Sequence, residues 1–308
     1  MNGITQHSLA RALLFSLLII MSPSASSAFN DNPKIFIVKS GNNDYFNETI
    51  ATLKNLTKSA VQYEQLTAAE SIHNTELMQE HDLVIALGLT AVEAVNRSRP
   101  KARVINAYLT YQQYQRYTPR QHDISLLLNQ PLERYLALSH LLPGIKSIGI
   151  IDHQPRRIDQ NQARKLRAFG LELNQYQSSE SSKLLPTLRL LLKQNDGLLM
   201  LPDQSIYQRA SLKGVLLTSY RFRKPVISYS PAHVKSGALA TIYSSPKNIG
   251  QHIALVVDRL LSEAKVEIPT FEMARFYSVM TNSRVARALG IDLPSDRDLI
   301  EQLQEILK

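Results

Sequence analysis

LSHLLPGIKSIGII, residues 138–151, carries the chain out of a helix and into a new strand midway through its 308 residues. Pro143 and Gly144 close the helix, since proline supplies no backbone donor and glycine takes a left-handed turn at little cost. The following SIGIIDH, residues 147–153, is a nearly continuous apolar run, the pattern of a strand covered on both faces. A chain that starts over in this way is expected to build a second α/β unit after the first.

The same rhythm holds on both sides of the restart. KIFIV (34–38), DLVIALG (82–88), ARVINAYL (102–109) and DISLLLN (123–129) read as strands before it, GLLMLPD (197–203) and PVISYS (225–230) after it. Amphipathic stretches such as 132–141 and 254–261 lie between them. The expected class is therefore α/β, two doubly wound Rossmann-like lobes with a ligand cleft between them. In open sheets of this kind ligands sit beyond the carboxyl ends of the strands, near helix N-termini whose free N–H groups favour negative charge.

Composition narrows the function classes. A chain of this length with 44% hydrophobic residues can bury the cores of two ordinary lobes. ALLFSLLIIM, residues 12–21, is too short an apolar run to span a bilayer, which takes about 20 residues. With Arg11 before it and SPSASSA after it, it reads as part of a signal peptide over 1–28, cut after Ala28 on the small residues Ser26 and Ala28. The absence of cysteine excludes disulfides, thiolate metal sites and a lipid-anchoring cysteine. The expected location is the periplasm of a Gram-negative bacterium. The net charge of +9 is spread over stretches such as RRIDQNQARKLR (156–167), which read as solvated helix faces. No nucleic-acid motif accompanies them, and no nucleic-acid partner is expected.

Near the C-terminus, TNSRVARALGIDLP (281–294) reads as a short helix capped by Thr281 or Asn282 and stopped by Gly290 and Pro294. Ser295, at capping-box spacing from Asp298, opens another helix carrying Leu299, Leu303 and Ile306. Together with LPD (201–203), KPVISYSPAHVKSGALATIY (224–243), IGQHIALVVDRLL (249–261) and IPTFE (268–272), this stretch resembles, in order and spacing, the substrate-binding proteins of ABC transporters related to the tryptophan/tyrosine-binding group, periplasmic-binding-protein-like of type I. DLVIALGLTAVEAV (82–95) and LLPGIKSIGII (141–151) are similar to that family's first-lobe strand–turn–helix and to the start of its second lobe. The resemblance implies a first lobe over 29–140 with a return segment at about 246–271, and a second over 141–245 with a C-terminal segment at about 272–308. Crossovers are then expected near Leu126, Ile242 and Phe271. Three loops depart from the family pattern: SLLLNQP (125–131) replaces Gly-Val-Ser, DHQPRRIDQNQ (152–162) replaces Asn-Pro-Ser-Glu-Ala-Asn, and Gln204 replaces Asn after Asp203.

Catalytic signatures are missing: there is no G-x-S-x-G elbow, no phosphate loop and no H-E-x-x-H, so no enzyme is expected. HNTELMQEHD (73–82) sets its histidines off the i, i+4 spacing of a helical metal pair, and neither metal nor cofactor is expected. The candidate ligand-binding residues are Ser40, Asn42 and Asn43 after the first strand, Gly88 and Thr90 after DLVIAL, and Asp203 with Gln204 after GLLML. The helix opening at Thr90 would offer N–H groups and a hydroxyl to a carboxylate. Asp203 would face a ligand ammonium, as the resemblance to amino-acid binders implies. The bland alternative is that Thr90 and Asp203 only cap helices. The resulting expectation is a monomeric periplasmic solute-binding protein of an ABC-type importer, partnered by a small-molecule ligand, such as an amino acid or related compound, and an inner-membrane permease. The alternative is a sensor module of the same fold acting on a membrane receptor; an α/β hydrolase or isomerase comes after both.

Overall fold

The computed structural model describes residues 33–308 apart from 81, 117–119, 121, 179–182, 204 and 263–268. The signal peptide expected over 1–28 and the candidate Gln204 lie outside the described residues. The chain first forms β1 (Lys34–Lys39), α1 (Asp44–Leu56), β2 (Gln62–Thr67), α2 (Ala68–His73), β3 (Leu83–Leu87), α3 (Leu89–Ser98), β4 (Arg103–Leu109), α4 (Tyr111–Arg116) and β5 (Ile124–Leu127). It continues with α5 (Leu132–Leu141), β6 (Ser147–Asp152), α6 (Gln160–Phe169), β7 (Glu172–Gln177), α7 (Leu184–Gln194), β8 (Gly197–Leu199), α8 (Arg209–Arg221), β9 (Val226–Ser228), α9 (Pro231–Ser236) and β10 (Ala240–Tyr243). It then ends with α10 (Pro246–Leu261), β11 (Phe271–Met273), β12 (Ser278–Thr281), α11 (Ser283–Leu289) and α12 (Asp296–Ile306).

These strands make two sheets of six, in the orders β11-β5-β4-β3-β1-β2 and β12-β10-β9-β8-β6-β7. Every pairing is parallel except β10 with β12. Each sheet is thus doubly wound, with its order reversing between β1 and β3 in one and between β6 and β8 in the other. The apolar runs read as two-faced strands are so: all of β3 is buried, as is β6 beyond its first residue. Helices on both faces cover them, which is why these strands lack strict alternation.

The C-terminal helix pair locks onto the second sheet. Asn282 caps α11 by accepting from the N–H groups of Arg284 and Val285, both at 3.1 Å, and donates its own amide to the Val234 carbonyl at 2.8 Å. Gly290 stops the helix at φ +73°, and Ser295 with Asp298 forms the capping box of α12. Leu299 and Leu303 are then fully buried against α5 and the second sheet. This stretch therefore serves the fold.

The expected boundary at residue 140 assigns helix α5 to the first lobe, yet the helix packs against α6 and α12. Its Tyr135, Leu136 and Leu138 enter the core over the second sheet. We place the division in residues 128–131 instead. The chain crosses between sheets there, at 244–245 and at 274–277, beside Leu126, Ile242 and Phe271.

The three crossovers are braced against one another. Gln130 donates to Ser244 Oγ at 3.0 Å, and the Ser244 hydroxyl donates to the Phe276 carbonyl at 2.7 Å. Arg134 joins them by donating to Gln130 Oε1 at 2.6 Å and to the carbonyls of Ala274 and Arg275, with its guanidinium over the Tyr277 ring at 4.5 Å. Helix α10 returns to the first lobe, where it packs on α1 and holds the crossing strand β11. His252 there is hydrogen-bonded at 2.9 Å to Glu272, which also pairs with Arg259 at 2.6 Å. Burial keeps His252 below its ordinary pKa.

Candidate functional site

The carboxyl ends of the two sheets converge on a cavity of about 300 Å³. The first lobe supplies Thr110 and Asn129, just past β4 and β5. The second supplies Asp203, past β8, with Tyr229 and Tyr243 at the ends of β9 and β10. Tyr135, reaching in from α5, completes an aromatic wall. Such a mixture, mostly apolar with a few directed polar groups, is the usual build of a small-molecule site. Burial raises the pKa of Tyr135, Tyr229 and Tyr243 above the ordinary phenol value, and their neutral hydroxyls can both donate and accept hydrogen bonds.

Two carboxylates lie at the switch point of the second sheet, and they differ. Asp152 is buried and gripped by the Arg156 fork, with Nε at 2.8 Å and a second nitrogen at 3.1 Å. Burial raises its pKa in spite of that pairing, and the nearby Asp203 charge adds to the rise. Asp203 has no such cation among the described residues. Its Oδ1 accepts from the N–H and hydroxyl of Ser205, at 2.9 and 2.5 Å, closing a turn, while Oδ2 has no hydrogen-bond partner among the described residues. Asp203 does not cap α8, whose N-cap is Gln208.

The first-lobe candidates cluster at the other switch point, away from this cavity. The Ser40 hydroxyl accepts from the Ala91 N–H at 2.9 Å, fastening the end of β1 to the start of α3. Gly88 holds φ +89°, and a Cβ there would meet Ser40 Oγ at 2.7 Å. Asn43 caps α1 by accepting from the Phe46 N–H at 2.9 Å. Asn42 and Thr90 are exposed, and the N-cap of α3 is Gly88 rather than Thr90. Of the candidates, Asp203 lines the cavity in this conformation.

Sequence reasoning passed over Thr110, Asn129, Tyr229 and Tyr243, although the strand-end rule that singled out Asp203 points equally to each. Tyr135 sits within a helix and gave no such signal. Tyr108 lies two residues before Thr110. It is a non-glycine residue at φ +65°, beside an irregularity in the β4–β5 pairing. Its hydroxyl donates to Thr49 Oγ1 at 2.6 Å, because the Thr49 proton is given to the Pro246 carbonyl at 3.0 Å. Burial pushes the Tyr108 pKa up to about 12.

A sequence profile of the ABC transporter substrate binding proteins matches residues 129–300, more than half of the chain. The chain belongs to that family, and its fold is the two-lobed periplasmic-binding-protein type. No curated protein matches it in sequence. Among solved structures, it is similar to the ligand-free, open structure of CD0873, a substrate binding protein with adhesive properties from Clostridium difficile. That likeness has a TM-score of 0.63 and 15% identity, over 85% of this chain and 96% of that one. An ABC domain in complex with L-Trp from Streptococcus pneumonia matches with a TM-score of 0.50 and 16% identity, over 88% and 98%. A conserved domain protein from Vibrio cholerae matches with a TM-score of 0.51 and 15% identity, over the same shares of the two chains. At these identities the likeness establishes the fold.

Proposed function

We propose that this chain is a periplasmic solute-binding protein of an ABC-type importer, exported by the segment 1–28. On this reading it works as a monomer, catalyses no reaction and hands its solute to an inner-membrane permease. The solute is a small molecule with a protonated amine, an amino acid or a related compound. One observation carries this reading: Asp203, an acid with no paired cation among the described residues, stands in a cavity walled by Tyr135, Tyr229 and Tyr243. A protonated amine there would gain both the carboxylate and the faces of the rings, whose quadrupoles attract cations. The structure with L-Trp bound, on the same fold, supports an amino-acid-like ligand. Lobe closure would bring Ser40, Asn42, Asn43, Gly88 and Thr90 onto the solute from the first lobe, with Gln204 beside Asp203.

A thermal-shift screen of the mature chain tests this reading, with primary amines each set beside its N-acetylated counterpart. An amine at 100 times its dissociation constant should add about 2.7 kcal/mol of stability and raise the melting temperature by several degrees. Its acetylated partner should do much less. Sugars stabilising the chain while every amine fails would overturn the assignment.

A further inference from the structure

The cleft does not end at the tyrosine-walled chamber. A second cavity of about 740 Å³ continues from it, sharing Gln112, Asn129, Tyr135 and Pro202 as walls. Its far side carries Arg156 and Arg157, and no aspartate or glutamate among the described residues lines it. These arginines stand in the loop after β6, where the sequence reads DHQPRRIDQNQ over 152–162.

The loop is built to hold the two arginines in different states. Arg156 spends its fork on Asp152. Its backbone is also clamped by Gln175, which accepts from the Arg156 N–H at 2.8 Å and donates to the Arg156 carbonyl at 3.0 Å. The adjacent Arg157 has neither an ion-pair partner nor a hydrogen-bond partner among the described residues, and it is exposed to the chamber it lines. A fixed backbone thus presents one unmatched guanidinium to a cavity free of acids. Planar guanidinium groups recognise carboxylates and phosphates through paired N–H donors. The two chambers are therefore complementary in charge: an unmatched carboxylate in the first and an unmatched guanidinium in the second.

We propose that the second chamber is an anion subsite centred on Arg157, so that the solute carries an acidic group, a carboxylate or a phosphomonoester, at the end remote from its amine. This rests on the reading of Asp203 as the amine site, and it extends the ligand class from a compact amino acid to an elongated zwitterion. Binding an acid here costs little reorganisation, because the Asp152–Arg156 pair and the Gln175 clamp already fix the loop.

Nitrogen-15 NMR of the arginine Nε–H groups in the mature protein tests the subsite directly, with inorganic phosphate, acetate and tyramine titrated separately. Phosphate or acetate should shift the Arg157 resonance saturably. A response to phosphate alone assigns a phosphomonoester, and a comparable response to acetate assigns a carboxylate. Arg157→Gln should abolish the thermal stabilisation given by the responding anion and leave the melting temperature of the free protein unchanged. Tyramine should bind both wild type and Arg157→Gln equally; its failure to bind either would count against the Asp203 reading without touching the anion result. No saturable shift at Arg157, or anion stabilisation that survives Arg157→Gln, would overturn the subsite.

Discussion

Asp203→Asn should weaken binding of the amine solute by tenfold or more, about 1.4 kcal/mol, while the unliganded protein melts where the wild type does. Asparagine keeps the side-chain oxygen that accepts from the Ser205 N–H and hydroxyl, so the turn at 203–205 survives. What it removes is the charge. If Asp203 only shaped that turn, the substitution would leave affinity nearly intact. Calorimetric titration of wild type and variant with the best-stabilising amine separates the two roles, and equal affinity would place the amine elsewhere.

Gly250→Ala should destabilise the protein, although alanine is the better helix former. Gly250 lies where α10 crosses α1, and a Cβ there would sit 2.5 Å from the Thr49 carbonyl oxygen and 2.8 Å from Thr52 Cβ. The nearer atom is backbone and cannot rotate away, so the helices must part. Overpacking of this kind costs about 1–3 kcal/mol, against about 1 kcal/mol returned by helix propensity. The difference, a net loss of up to about 2 kcal/mol, lowers the melting temperature of a chain this size by up to several degrees. The same contact involves Thr49, which anchors the Tyr108 hydroxyl and the start of α10. Calorimetric melting of the variant checks this, and a melting temperature at or above that of the wild type would show that α1 and α10 separate freely.

Much of the fold was legible because it rests on local signals. Continuous apolar runs announced strands buried on both faces, and Pro143 with Gly144 announced the restart. The Asn282, Gly290 and Ser295–Asp298 caps followed from residue types at fixed spacing. The lobe division was not legible. The apolar face of α5 says that the helix packs on something but not on which sheet, and only the contacts with α6 and α12 decide it. The candidate cavity was legible in part for the same reason. Strand ends can be found in a sequence, and they led to Asp203. Whether a strand-end side chain is free depends on partners far along the chain. The Ser40 hydroxyl is engaged by Ala91, 51 residues away. The Arg156–Arg157 pair read as part of a solvated helix face, since nothing local reveals that Asp152 and Gln175 hold one arginine while its neighbour faces the cleft.

The two lobes are expected to close on a solute between them. Small-angle X-ray scattering of the mature protein, alone and with the best-stabilising solute at saturation, tests it most directly. The radius of gyration should fall with solute bound, because the first-lobe switch point around Ser40 and Thr90 must approach Asp203 across the cleft. A solute that raises the melting temperature while the scattering curve stays unchanged would contradict it.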